Sequence, residues 1–150
     1  MLKNIDPLLT PELLQVMAAM GHGDELAVVD ANFPADSVAL RTGHGRVVPL
    51  SGASMPEAVR AILTLLPLDD FVDTPVRRMT SDNAPDDFPE AQREVQAVID
   101  SAAGRPWPTG VLARFDFYEA ARNSYAVVLT GERRYYGNVL IRKGAIPPDA

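Results

Sequence analysis

Four stretches of the chain repeat apolar residues at helical spacing, and several short apolar runs lie between them. Leu13, Leu14, Met17 and Met20 recur on one helical face, and Thr10-Pro11-Glu12 supplies a hydroxyl cap, a proline in the first turn and an early acid. Gly21 or Gly23 is the expected left-handed residue ending that helix. Ser54-Met55-Pro56-Glu57 opens a second helix with Val59, Ile62, Leu63 and Leu66 on its inner face, and Pro67 is expected to end it. Pro89 starts a third, carried by Val95, Val98 and Ile99 and ended near Gly104. Phe117 to Asn123 reads as one or two further helical turns.

The expected strands are Leu26 to Asp30, Ser37 to Arg41, Pro75 to Thr80, Val111 to Phe115, Ser124 to Thr130 and Asn138 to Arg142. Thr42 to Ala53 is rich in glycine and carries no clear pattern, and Ser81 to Phe88 reads as an acidic loop. Helices alternating with strands imply a layered α/β/α fold around a mixed central sheet rather than a bundle or barrel. With 150 residues, no linker and no tandem repeat, the expectation is a single domain spanning 1–150.

Charge narrows the function. Twenty acids against 14 bases leave a formal charge of -6, which argues against nucleic acid or an anionic membrane as partner, since both need a concentrated basic face. There is no cysteine, so thiolate nucleophiles, thiolate metal sites and disulfides are excluded. The opening residues lack the apolar core and cleavage site of a signal peptide, so a cytoplasmic location is expected. GxGxxG after a strand, GxxxxGK[ST] and GxSxG do not occur, leaving dinucleotide, P-loop and serine-hydrolase readings without support.

The segment MGHGDELAVVDANFP, Met20 to Pro34, places one of only two histidines between glycines, just beyond a helix and before a buried strand. Imidazole exchanges protons near neutrality, its free pKa being about 6.5. From this turn alone His22 reads either as a helix-terminal cap or as a proton carrier. Asp30, closing the strand, reads either as a ligand-binding carboxylate or as an Asx-turn. Leu68-Asp69-Asp70 reads by composition as solvated charge, and His44 as a loop residue. Neither HxH nor HxxxH occurs, and 22 positions separate the histidines, so a metal site is not expected.

The C-terminal third, ARFDFYEAARNSYAVVLTGERRYYGN, sets Arg114 four residues before Tyr118 and adds Tyr136-Gly137-Asn138. Guanidinium, amide and carboxylate groups each engage neighbouring hydroxyls, and an aromatic face packs on the apolar side of a pyranose. Taken alone, however, the same residues read more readily as core or interface tyrosines and an Arg114 structural ion pair.

MGHGDELAVVDANFP, LPLDDF, RFDFYEAA and TGERRYYGN together resemble the ribose pyranase/fucose mutarotase family, in its fucose branch, over nearly the whole chain from DPLLTPELL to IRKG. The resemblance implies anomer exchange of a free sugar, L-fucose or a close relative, in the cytoplasm and without a cofactor. A ribose-directed pyranose/furanose activity and a non-catalytic monosaccharide-binding protein are the competing readings. The resemblance further implies His22 as the acid/base residue; for the second proton position the expected group is Tyr118, alone or with Asp30. It implies Asp30, Asp69, Arg114, Tyr118, Tyr136 and Asn138 as the sugar-contacting set. It also implies a homo-oligomer, a ring-shaped decamer with sites at subunit boundaries, which would bring Tyr136 and Asn138 beside a neighbour's His22. ALRTGHGRVVPLSGASMPEAV departs from the RADG-like stretch the family often has, so no role transfers to His44.

Overall fold

In the computed structural model, which describes residues 1–150, eleven elements follow one another along the chain. They are α1 (Pro11–Ala19), β1 (Glu25–Val29), α2 (Ala35–Ala39), β2 (Val47–Leu50), α3 (Met55–Leu63), β3 (Val76–Met79), α4 (Glu90–Ala103), β4 (Gly110–Leu112), α5 (Arg114–Arg122), β5 (Ala126–Thr130) and β6 (Val139–Arg142). The strands form one six-stranded sheet in the order β2-β5-β1-β6-β3-β4. Only β6 runs against its neighbours: it pairs antiparallel with β1 and with β3, while β1–β5, β2–β5 and β3–β4 are parallel.

Strand alternation divides the core in two. Leu26 and Val28, Ala126 and Val128, and Val139 and Ile141 face a 24-residue cluster that also takes residues of α1, α3 and α4. Ala27, Val29, Val127 and Leu140 face the other way, into an 11-residue cluster with α2 and α5. This is the expected α/β/α layering about a mixed sheet. Each fully buried Val, Leu or Ile contributes roughly 1.5–3 kcal/mol, so the period-two pattern pins the register.

The helix starts follow their local signals. Thr10 accepts a hydrogen bond from Leu13 N–H at 3.2 Å, and Ser54 with Glu57 forms a capping box. Gly104 closes α4 at φ 67°.

Four expectations need correction. The first helix ends in extended backbone at Met20, whose N–H returns to Val16; Gly23, at φ 86°, instead shapes the following turn, where its N–H donates to the Lys143 carbonyl. The second helix stops at Leu63, ahead of Pro67, as the Thr64 hydroxyl folds back onto the Ala61 carbonyl at 2.6 Å. Ser37 to Arg41 is no strand. Ala35, Val38 and Ala39 are buried at helical spacing in α2, a helix too short for its period to stand out in the sequence. The Val111 strand ends at Leu112, because Arg114 already opens α5 with Asp116 in its first turn and Phe117 and Ala121 facing the core. Arg114 and Tyr118 therefore stand one turn apart on the same helix. The unassigned stretch before Ala53 contains β2, an edge strand carrying Pro49. No helix is long and apolar enough to cross a membrane.

Candidate functional site

Parallel strands β1 and β3 end side by side with β6 starting between them, and a cavity of about 370 Å³ opens over these ends. Five residues expected from the sequence line it: Asp30, Arg114, Tyr118, Tyr136 and Asn138. Asn32, Phe33, Met79 and Tyr135 complete the wall. Phe33 belongs to the quoted DANFP segment and Tyr135 adjoins Tyr136, so both lay next to signals already noticed. Met79 carries no such signal; it arrives by sheet order alone.

Asp30 holds this end of the sheet together. Its Oδ1 accepts from Asn32 N–H at 2.9 Å, which is the Asx-turn, while Oδ2 accepts from Gly137 N–H at 3.2 Å and Asn138 Nδ2 at 3.0 Å. Asn138 Oδ1 in turn accepts from Asp30 N–H at 2.8 Å. Asn138 is buried and its amide is engaged inside the protein, so it acts on the cavity by fixing Asp30. Burial raises the Asp30 carboxyl above its ordinary pKa, and the donors from Asn32, Gly137, Asn138 and Phe33 oppose it only in part.

Aromatic packing sets the far wall. Phe33 meets Tyr118 edge-on at 5.3 Å and Phe117 at 5.9 Å, so the Tyr118 ring is braced from beneath. Arg114 Nε lies 2.7 Å from Asp82 Oδ2, yet makes no hydrogen bond with it. The distance marks an ion pair, while the missing alignment leaves that N–H without an acceptor.

His22 and Asp69 stand elsewhere. They lie at the opposite end of β1, a strand about 13 Å long at about 3.3 Å per residue, so His22 does not share a site with Asp30 and Tyr118 within one subunit. His22 Nε2 lies 3.0 Å from Asp69 Oδ1. Asp69 is not solvated charge as its composition suggests: its side chain is 1% exposed, against 46% for His22. Burial alone would push its carboxyl up, but Arg142 Nε at 2.7 Å, His22 and Phe71 N–H at 3.2 Å bring it below the ordinary value. An ionised Asp69 can only accept, so Nε2 carries a proton and Nδ1 is left as the basic nitrogen of a neutral ring. Phe71, largely exposed, tilts against the imidazole at 5.2 Å. His44, the other histidine, meets Glu12 Oε1 at 3.0 Å far from the cavity.

A third cluster supports the turn between β5 and β6. Buried Glu132 takes Arg134 Nε and Nη2 at 2.9 Å each, plus the Arg134 and Met55 N–H groups, and Arg134 also bridges to Glu94. The Arg134 hydrogen bonds lower the Glu132 pKa from 4.5 to about 2, against the opposing effect of burial. A carboxylate with a depressed folded pKa stabilises the protein above its unfolded pKa and loses that contribution as pH falls. The Glu132 contribution to the unfolding free energy should therefore drop by about 3 kcal/mol between pH 4.5 and pH 2, somewhat less because the Arg134 side is partly screened. Asp30 runs the other way, its raised pKa favouring the folded state at low pH. Urea midpoints across this range, with Glu132→Gln as control, measure the effect; identical acid slopes for both proteins would rule it out.

An α/β/α domain with a polar and aromatic cavity at the carboxyl ends of its parallel strands has the form of a small-molecule-binding protein, and the volume suits a ligand of monosaccharide size. The chain belongs to the RbsD / FucU transport protein family, whose model matches residues 3–146. It is 41% identical to the L-fucose mutarotase of Haemophilus influenzae strain PittGG over 147 residues, 98% of this chain and 99% of that protein. Among solved structures, protein Atu2016, a candidate sugar-binding protein, is 48% identical with a TM-score of 0.95, over 98% of this chain and 97% of that one. The fucose mutarotase of Streptococcus pneumoniae in complex with L-fucose is 34% identical with a TM-score of 0.87, over 97% of this chain and 100% of that one.

Proposed function

We propose that this protein is an L-fucose mutarotase, an isomerase that exchanges the α and β anomers of L-fucose or a closely related aldose through the open-chain form. The observation that carries the reading is the cavity itself, where Asp30, Arg114, Tyr118 and Tyr136 converge, in a chain 41% identical to an L-fucose mutarotase along almost its full length. The sugar lies between the tyrosine rings, with its hydroxyls on Arg114 and Asp30.

Opening requires a base to take the anomeric hydroxyl proton and an acid to protonate the ring oxygen as its bond to the anomeric carbon breaks. The aldehyde then turns about its bond to the next carbon, and the two proton transfers reverse. Nothing is oxidised or reduced, and no covalent adduct forms. His22, through Nδ1, takes one of these proton positions and Tyr118 the other. Asp69, held by Arg142, fixes the tautomer that leaves Nδ1 basic.

His22 and the cavity sit at opposite ends of β1, so a neighbouring copy must supply the imidazole. The working form proposed is a homo-oligomer, for which the family resemblance implies a ring-shaped decamer in the cytoplasm. Exposed Phe71 beside His22, and exposed Phe115 and Tyr135 around the cavity, are the aromatic surfaces that such contact would cover. Two-dimensional exchange NMR tests the function: catalytic amounts of protein should produce cross-peaks between the α and β anomeric protons of L-fucose. Absence of exchange for every aldose in a panel would overturn the reading. Faster exchange between D-ribose ring forms would reassign the substrate.

A further inference from the structure

Tyr136 adopts φ 58°, in the left-handed region that tyrosine seldom enters, and it does so on the cavity wall. The peptide group joining it to Gly137 is held at both ends. Its N–H donates to Asp30 Oδ2, and its carbonyl accepts from Gln92 Nε2. Gln92 lies on α4, is buried and does not line the cavity. Its Nε2 donates a second hydrogen bond to the carbonyl of Met79, another wall residue, at 2.6 Å. Arg78 Nη1 donates to Gln92 Oε1 at 2.8 Å, which fixes the amide so that both N–H groups face the two carbonyls.

We infer that Gln92 is the positioning residue of the sugar site, clamping the Tyr136–Gly137 peptide so that the Tyr136 ring is presented to the ligand and Met79 is held beside it. The inference rests on the proposed sugar site and adds to it a residue that touches no substrate. The geometry makes the amide hard to replace. A carboxylate would set acceptors against two carbonyl oxygens, and a shorter amide would not reach both. An apolar side chain of the same length would leave the carbonyls without donors and let Tyr136 relax toward negative φ.

The deciding experiment is Gln92→Met, followed by anomer exchange and by NMR of the turn. KM for fucose should rise about tenfold with kcat within about threefold, because ligand placement changes while the proton carriers do not. In a Tyr136→Ala background the same substitution should add nothing to KM, since the two residues act as one unit. Arg78→Met, which frees the amide to rotate without emptying the core, should raise KM about threefold by the same route. The Tyr136 Cα and Gly137 amide signals should shift in both variants even without sugar. KM unchanged in Gln92→Met, an equal rise in the Tyr136→Ala background, or unmoved Tyr136 and Gly137 signals would each overturn the inference. If Gln92→Met does not fold, Arg78→Met carries the same comparison. A wild type that exchanges no sugar would instead defeat the proposed function, while the NMR shifts would still report on the clamp.

Discussion

His22→Ala should reduce anomer exchange by about 10² to 10⁴, the range expected when a positioned proton carrier is lost, while leaving the fold almost untouched. The imidazole is 46% exposed, and its removal leaves Asp69 still bound by Arg142 and Phe71 N–H. A hydrogen bond to a charged carboxylate contributes about 1.5–3 kcal/mol, less at a half-exposed imidazole, and Arg142 and Phe71 N–H still satisfy Asp69, so the urea midpoint should fall only modestly. Sugar binding, measured by ligand-observed NMR, should persist because Asp30, Arg114 and Tyr136 remain in place. This combination separates a proton carrier from a cap. A histidine that only caps its turn would change stability and leave exchange intact. Retention of more than a third of the wild-type exchange would remove His22 from the mechanism.

Asp30→Ala should have the largest effect on both stability and binding. It strips the acceptor from Asn32 N–H, Gly137 N–H and the Asn138 amide at once. Each donor left unpaired in a buried setting costs about 1–3 kcal/mol, and relief of the carboxyl's own desolvation offsets only part of that. A net loss of about 3 kcal/mol is expected in urea unfolding, since two of the three donors are fully enclosed. Freed from Asp30, the Tyr136–Gly137 peptide keeps only its Gln92 contact, and sugar affinity should fall by about 100-fold as the ring leaves its place. A variant within 1 kcal/mol of wild type that also binds fucose normally would show that Asp30 is neither keystone nor ligand.

The two effects differ because the residues sit in different surroundings. His22 lies at an exposed turn, where a proposed proton carrier can be removed with little loss of packing. Asp30 ties the end of β1 to the start of β6, so its removal disturbs the cavity wall together with the fold. Asp69 stands between these cases: buried like Asp30, it would serve the proposed site only through the ring it orients.

Much of this was readable before any contact was known. Thr10, Ser54 with Glu57, and Pro89 with Gly104 mark helix ends through hydrogen bonds and backbone preferences that span only a few residues. Leu26 to Val29 and Ala126 to Thr130 announce buried strands by composition alone. Arg114 and Tyr118 were visible as a pair because four positions is a local separation. The short α2 and the Leu112-to-Arg114 boundary escaped, since a handful of residues carries too little periodicity to override a β-branched or aromatic neighbour.

Sequence by itself thus determined most of the elements, the layered class and the residue types available for sugar chemistry. Tertiary structure decided which of them meet. Inserting β6 antiparallel between β1 and β3 sets Asn138 on Asp30 across 108 positions and leaves His22 at the far end of the strand. Gln92 reaches Tyr136 across 44 positions, and Asp69 reaches His22 across 47. Such pairings depend on the order in which strands join the sheet. That order is settled by burial of the whole core, and no local stretch of chain records it.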